Sequence, residues 1–118
     1  MAFQWRDNLA LAQELAKRSE ETALRCAIGR AYYAVFGEAR QRWIQEHGAI
    51  PLDIQVHNFL WNEYKRADRL RKFIGQDGAK LLAYRNLADY EEAFPDLKSV
   101  VERVLIIAKK VLDNLDAL

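Results

Sequence analysis

The chain has 118 residues and is poor in the residue types that build disulfide, metal or membrane proteins: one cysteine, two histidines and two prolines. A lone thiol, Cys26, makes neither an internal disulfide nor a cysteine-based metal site, which suits a reducing compartment and leaves Cys26 as a small buried apolar side chain. Neither His47 nor His57 has a second histidine at ligand spacing, and no paired-carboxylate motif accompanies them, so no metal site and no cofactor are expected. No apolar run approaches the roughly 20 residues of a membrane span, and Met1-Ala2-Phe3-Gln4-Trp5-Arg6 lacks the charged, apolar and small-residue regions of a leader. A soluble, cytoplasmic protein with no membrane contact is the expectation. Excess charge is missing too: 18 basic side chains against 17 acidic ones give +1. Only a local patch could therefore argue for nucleic acid. Strand-like alternation is absent, as are internal repeats and linkers.

What is present is helical periodicity, with 51% hydrophobic residues, enough for one core over a single domain, 1–118. The segment from about Thr22 to Glu46 carries small residues at Ala23, Cys26, Ala27, Gly29, Ala31, Ala34, Gly37 and Ala39. It reads as the central helix of a bundle, approached closely from several sides. Gly29 and Gly37 each cost a helix roughly 1 kcal/mol relative to Ala, so close packing is the reading for both. A first amphipathic helix spans about Phe3 to Arg18, with Trp5, Leu9, Ala12, Leu15 and Ala16 on its apolar face. His47-Gly48 ends the central helix, where a cation suits the helix dipole, and Pro51 fixes a break. Asp53 caps a third helix bearing Val56, Phe59, Leu60 and Tyr64 and reaching about Arg66 or beyond. The basic stretch Lys65 to Lys72 then suggests a short separate helix, Gly75-Gln76-Asp77-Gly78 a turn, and Asp77 the cap of a fourth helix that Phe94-Pro95-Asp96 stops. A wide apolar stripe from Leu97 to Leu115 marks the last helix. The fold class is all-α, an up-and-down bundle of four to five helices.

Three groups of residues can carry chemistry. Arg30, Tyr33 and Gly37 share a helix face, and an arginine among small and aromatic residues either anchors an internal ion pair or waits for an anionic ligand. In Tyr84-Arg85-Asn86-Leu87-Ala88-Asp89-Tyr90, Arg85 and Asp89 stand one turn apart and can simply pair. Alternatively, Arg85, Asn86 and Tyr90 offer a cationic fork, an amide and a phenol suited to phosphate and base recognition. Lys65, Arg66, Arg69, Arg71 and Lys72, interleaved with Tyr64 and Phe73, make either a solvated helix face or a track for a phosphate backbone, depending on whether they fold beside Arg85. His57 stands as a hydrogen-bonded structural residue or as a base.

Arg30-Ala31-Tyr32-Tyr33-Ala34-Val35-Phe36 resembles the R-A-Y-Y-A-x-F signature of small prokaryotic HEPN-domain proteins, and Arg85-Asn86-Leu87-Ala88-Asp89-Tyr90 resembles their R-N-x-A-D-Y signature. The resemblance runs from about Asn8 to Leu115. It implies a HEPN-like bundle, commonly a homodimer, binding RNA or a nucleotide within a toxin–antitoxin-like pair whose other member is a nucleotidyltransferase antitoxin. It assigns RNA or nucleotide contacts to Arg30, Tyr33, Asn86, Asp89 and Tyr90, to which the basic run adds Arg69 and Arg71. The wider family includes metal-independent ribonucleases whose arginine is followed, after four to six residues, by histidine. Here Arg85 is followed at those positions by Tyr90, Glu91 and Glu92. A phenol titrating near 10 is a poor base at neutral pH, so a ribonuclease would use Arg85 on the phosphorane with His57, Glu91 or Glu92 as base. Three outcomes are therefore expected to compete: a binding subunit, a nuclease with a non-standard base, and a dimerisation or interaction module, with Tyr90 a modification site by family analogy. The two signature segments are expected to meet in the fold, with Arg30 close to Asp89.

Overall fold

Small residues let other helices approach one segment from several sides, and that segment is the axis of the fold. The computed structural model describes residues 3–52 and 54–118, which form α1 (Asp7–Leu15), α2 (Glu21–His47), α3 (Val56–Lys65), α4 (Arg69–Tyr90) and α5 (Leu97–Asp116). No strand occurs among the described residues, and the chain is an all-α helical bundle. Helix α2 packs against each of the other four, while α3 lies chiefly on α4. Within Ala31–Gly37 every residue of α2 is buried except Tyr33, which keeps partial exposure. A helix apolar on all sides must be enclosed, so the one side chain that reaches out of this run is positioned by everything around it.

Of the two expected close approaches on α2, one is found. A Cβ on Gly37 would lie 2.2 Å from the Trp5 ring, whereas Gly29 has nothing within 4 Å, and packing does not explain its glycine. Cys26 is exposed, not buried as expected, because it lies near the start of α2, one turn after the exposed Glu21 and Thr22. The first helix is shorter than its periodicity suggested. Trp5 and Arg6 form a turn instead, which lays Trp5 on Gly37 and sets Arg6 between Glu38 of α2 and Asp116 of α5, each at 2.8 Å. These two carboxylates hold the Arg6 guanidinium above its ordinary pKa.

The largest departure from the sequence reading is α4. Instead of a short helix, a turn at Gly75–Gly78 and a helix capped by Asp77, one continuous helix runs from Arg69 to Tyr90. Its cap is Asp68, which accepts a hydrogen bond from the Arg71 backbone N–H at 3.1 Å. The two glycines face α3: a Cβ on Gly75 would lie 2.7 Å from the Lys65 nitrogen, and one on Gly78 would lie 2.4 Å from the Trp61 ring. Gly75 lets the two backbones touch and Gly78 makes room for the Trp61 ring, uses of glycine that a sequence shows no differently from a turn. Asp77 sits in mid-helix and pairs with Lys110 of α5 at 3.4 Å. The proposed cap Asp53 lies outside the described residues, and α3 begins after Gln55. Helix α5 starts at Leu97, two residues after Pro95, its expected first position, with Asp96 in the left-handed region at φ 58°. Its apolar stripe is buried from Leu97 to Leu115. No described helix is long and apolar enough to cross a membrane.

Candidate functional site

The partly exposed Tyr33 of α2 is where the two short sequence signatures meet. Arg85, near the end of α4, donates from Nη2 to the Tyr33 hydroxyl at 3.0 Å, and its guanidinium carbon stands 5.4 Å from the centre of the Tyr33 ring. Arg30, one turn before Tyr33 on α2, places its own guanidinium carbon 5.3 Å from the same ring centre. Two cations thus share one aromatic ring, an arrangement the ring's negative face favours by about 0.5–1 kcal/mol for each exposed contact. The expected Arg30–Asp89 pair does not form. Asp89 pairs instead with Arg85 of its own helix, Nε to Oδ2 at 2.8 Å, and Arg30 reaches the Asn8 amide oxygen at 3.4 Å. The reason lies in helix spacing: Arg85 and Asp89 stand one turn apart, so the carboxylate is taken up locally before Arg30 can compete. No carboxylate lies within ion-pair distance of Arg30 among the described residues. The Arg85 Nε lacks a well-aimed acceptor even with Asp89 so near, because the carboxylate stands at ion-pair distance without lying along the N–H direction. Asn86 accepts from Arg85 at 3.3 Å and is otherwise exposed.

His57, on the first turn of α3, joins the cluster beside Tyr33. Its ring stacks on Phe36 at 4.2 Å and lies edge-on to Tyr33 at 6.2 Å. Its Nδ1 is 2.7 Å from the hydroxyl of Tyr32, and that hydroxyl also receives the Trp61 indole N–H at 3.1 Å. Burial, and then the positive charge of Arg85, push the His57 pKa below its ordinary 6.5. Burial likewise drives the Tyr32 phenol well above the usual tyrosine range. At neutral pH both are uncharged, so the cationic character of the site comes from Arg30 and Arg85 alone.

The remaining sequence candidates fall elsewhere. Tyr90 ends α4 with 74% of its side chain exposed, as a solvent-facing phenol. Arg69 and Arg71 lie at the opposite end of α4, 16 and 14 residues from Arg85, about 24 and 21 Å at 1.5 Å per residue. The basic run therefore does not fold beside Arg85. Arg71 is moreover taken up by two carboxylates, Glu46 and Asp68, while Arg69 lies over Phe73 at 5.9 Å. Bonds from the Arg71 backbone and side chain hold Asp68 below the usual carboxylate range.

One residue that matters was not singled out from the sequence. Arg25 donates to the backbone carbonyls of Ala88, Glu91 and Glu92 and lies 5.8 Å from the Phe94 ring centre. It satisfies carbonyls that the end of α4 leaves without intrahelical partners. By tying that end to α2 it fixes where Arg85 stands relative to Tyr33. Its only sequence signal is a basic residue inside the small-residue helix, a turn and a half before Arg30. No group of three histidine, cysteine, aspartate or glutamate side chains among the described residues could hold a metal ion. Comparison of the chain with protein-family models, curated proteins and solved structures finds no match.

Proposed function

We propose that the chain binds RNA or nucleotides at the Arg30–Tyr33–Arg85 surface, as the HEPN-like member of a two-component, toxin–antitoxin-like pair. The observation that carries this reading is the charge balance of the site. Two guanidiniums share the Tyr33 ring with a single carboxylate, Asp89, beside them. A phosphate would complete that balance through charge-assisted hydrogen bonds, and the aromatic ring offers a face for a base. The direct contact between Tyr33 and Arg85, one from each signature, supports the family reading as well. On the resemblance we also assign a homodimer in the cytoplasm and a nucleotidyltransferase partner.

Titration of a short single-stranded RNA and of AMP, followed by fluorescence anisotropy or calorimetry, tests the binding. Affinity should fall as salt rises, and Arg85→Gln should weaken it about tenfold or more. Salt-independent binding, or undiminished affinity in that variant, would remove the site from the reading. A second reading, metal-independent RNA cleavage, is favoured by one observation: His57 and Arg85 flank the same tyrosine. Cutting of RNA in the presence of a chelator, lost in both Arg85→Gln and His57→Leu, would establish it.

A further inference from the structure

We infer that Tyr32 fixes the tautomer of His57 so that the imidazole carries its proton on Nε2, making His57 a hydrogen-bond donor at the Arg85 surface and not a proton acceptor. The Tyr32 side chain is 0% exposed, so no water reaches its hydroxyl. That hydroxyl has two partners, Trp61 Nε1 at 3.1 Å and His57 Nδ1 at 2.7 Å. An indole N–H only donates, so Trp61 occupies a lone pair of the phenol oxygen and cannot receive its proton. The one acceptor left for the Tyr32 proton is the lone pair of His57 Nδ1. A neutral imidazole that accepts at Nδ1 bears hydrogen at Nε2.

The opposite tautomer and the imidazolium would both direct an Nδ1–H at Tyr32, stranding the hydroxyl proton in the core without an acceptor. Burial and then the Arg85 charge already disfavour the protonated ring, and the conflict at Tyr32 would add to that cost. Stacking on Phe36 at 4.2 Å and 22° holds the ring plane. Nε2 has no hydrogen-bond partner among the described residues, so it is the nitrogen available to a ligand. Tyr32 is thus a positioning residue, and His57 Nε2–H adds a neutral donor beside the Arg85 fork. A phosphate oxygen is the acceptor that both would share, a use that rests on the RNA-binding reading above. A base mechanism through Nε2 would need a lone pair that this tautomer does not have.

The test is nitrogen-15 NMR of the histidine-labelled protein above neutral pH. Two-bond proton–nitrogen correlations should show His57 Nε2 as the protonated nitrogen and Nδ1 as the bare one. A slowly exchanging Tyr32 hydroxyl proton should couple to Nδ1. The reverse pattern at His57 overturns the inference, whatever the protein does with RNA. In Tyr32→Phe the two nitrogen signals should move toward a mixture of tautomers, and an unchanged pattern would remove Tyr32 from the role. Should that variant not fold, the wild-type spectrum with its hydroxyl coupling decides, and absence of the coupling counts against the inference. His57→Gln, whose amide N–H reaches near the Nε2 position, should keep affinity for a short single-stranded RNA within about threefold, whereas His57→Leu should lose about tenfold. Undiminished RNA affinity in His57→Leu alongside the expected spectrum would overturn the ligand contact alone, leaving the tautomer assignment intact.

Discussion

The two ends of α4 each present arginine to the rest of the bundle, and they use it differently. At the start of the helix Arg71 meets two carboxylates, Glu46 and Asp68, so its charge is spent on joining α2 to α4. At the other end Arg85 has one carboxylate, Asp89, and its remaining contacts are the neutral Tyr33 hydroxyl and ring and the Asn86 amide. Arg30 adds a second cation on the same ring without a carboxylate of its own. Counting basic residues along the chain selects the first end, where they are dense. Counting them against their partners in space selects the second. Binding to an anion depends on the charge left uncompensated, not on the charge present.

The comparison presupposes that α4 is one rigid helix pressed onto α3, and its centre is the place to break it most severely. Gly75→Ala should destabilise the fold by about 3 kcal/mol, the upper end of overpacking costs, because the added carbon meets the Lys65 nitrogen and Trp61 carbonyl at 2.7 and 2.8 Å. Chemical denaturation measures this, and a loss below about 1 kcal/mol would mean that α3 and α4 can move apart at little cost. Next comes the contrast itself. Arg85→Gln should cost about tenfold in RNA affinity, while Arg71→Gln should leave affinity within about twofold and lower stability by about 1 kcal/mol or less. Equal losses of affinity from the two variants would erase the distinction between the ends.

A pH series sharpens the same comparison, because the Arg85 end contains a histidine with a depressed pKa. Above pH 6.5, the ordinary histidine value, both folded and unfolded chains hold His57 neutral. Below it the unfolded chain binds a proton first, so stability is fully present at the higher pH and falls as pH drops below about 6.5. The slope from this one group is at most about 1.4 kcal/mol per pH unit. The groups facing His57 are Tyr32, Tyr33, Phe36 and Arg85. Asp68 and Asp116, also depressed, act with the same sign but around and below their ordinary value of 3.8. His57→Gln should flatten the slope just below pH 6.5, as read from denaturation midpoints. The smallest effect is expected at Gly29, where Ala should stabilise the protein by about 1 kcal/mol or less, since the site is open and only helix propensity changes. A destabilised Gly29→Ala would point to a contact at that position made outside the single chain.

How far the site was legible in the sequence depends on how local its determinants are. The apolar stripes of α2 and α5 are set by spacing within one helix, and both helices lie within a residue or two of where the pattern places them. Arg85 and Asp89 likewise pair by their one-turn spacing. The Tyr33–Arg85 contact joins residues 52 apart, and the sequence anticipated only that their segments meet, naming Arg30 and Asp89 as the pair. The capping of α4 by Arg25 spans 63 residues or more and left no local signal beyond a basic residue in an apolar helix.

By itself, then, the sequence determined the all-α class, the central place of α2 and the two segments that hold the site, because helical periodicity and side-chain size act over a few residues. Only the tertiary structure decided what each glycine and each arginine is for. Gly75 and Gly78 look like a turn until α3 lies against them, and Gly29 looks packed until nothing does. The physical reason is common to all of them: a glycine's missing side chain and an arginine's charge acquire meaning from what comes within a few ångströms, and those neighbours belong to other helices.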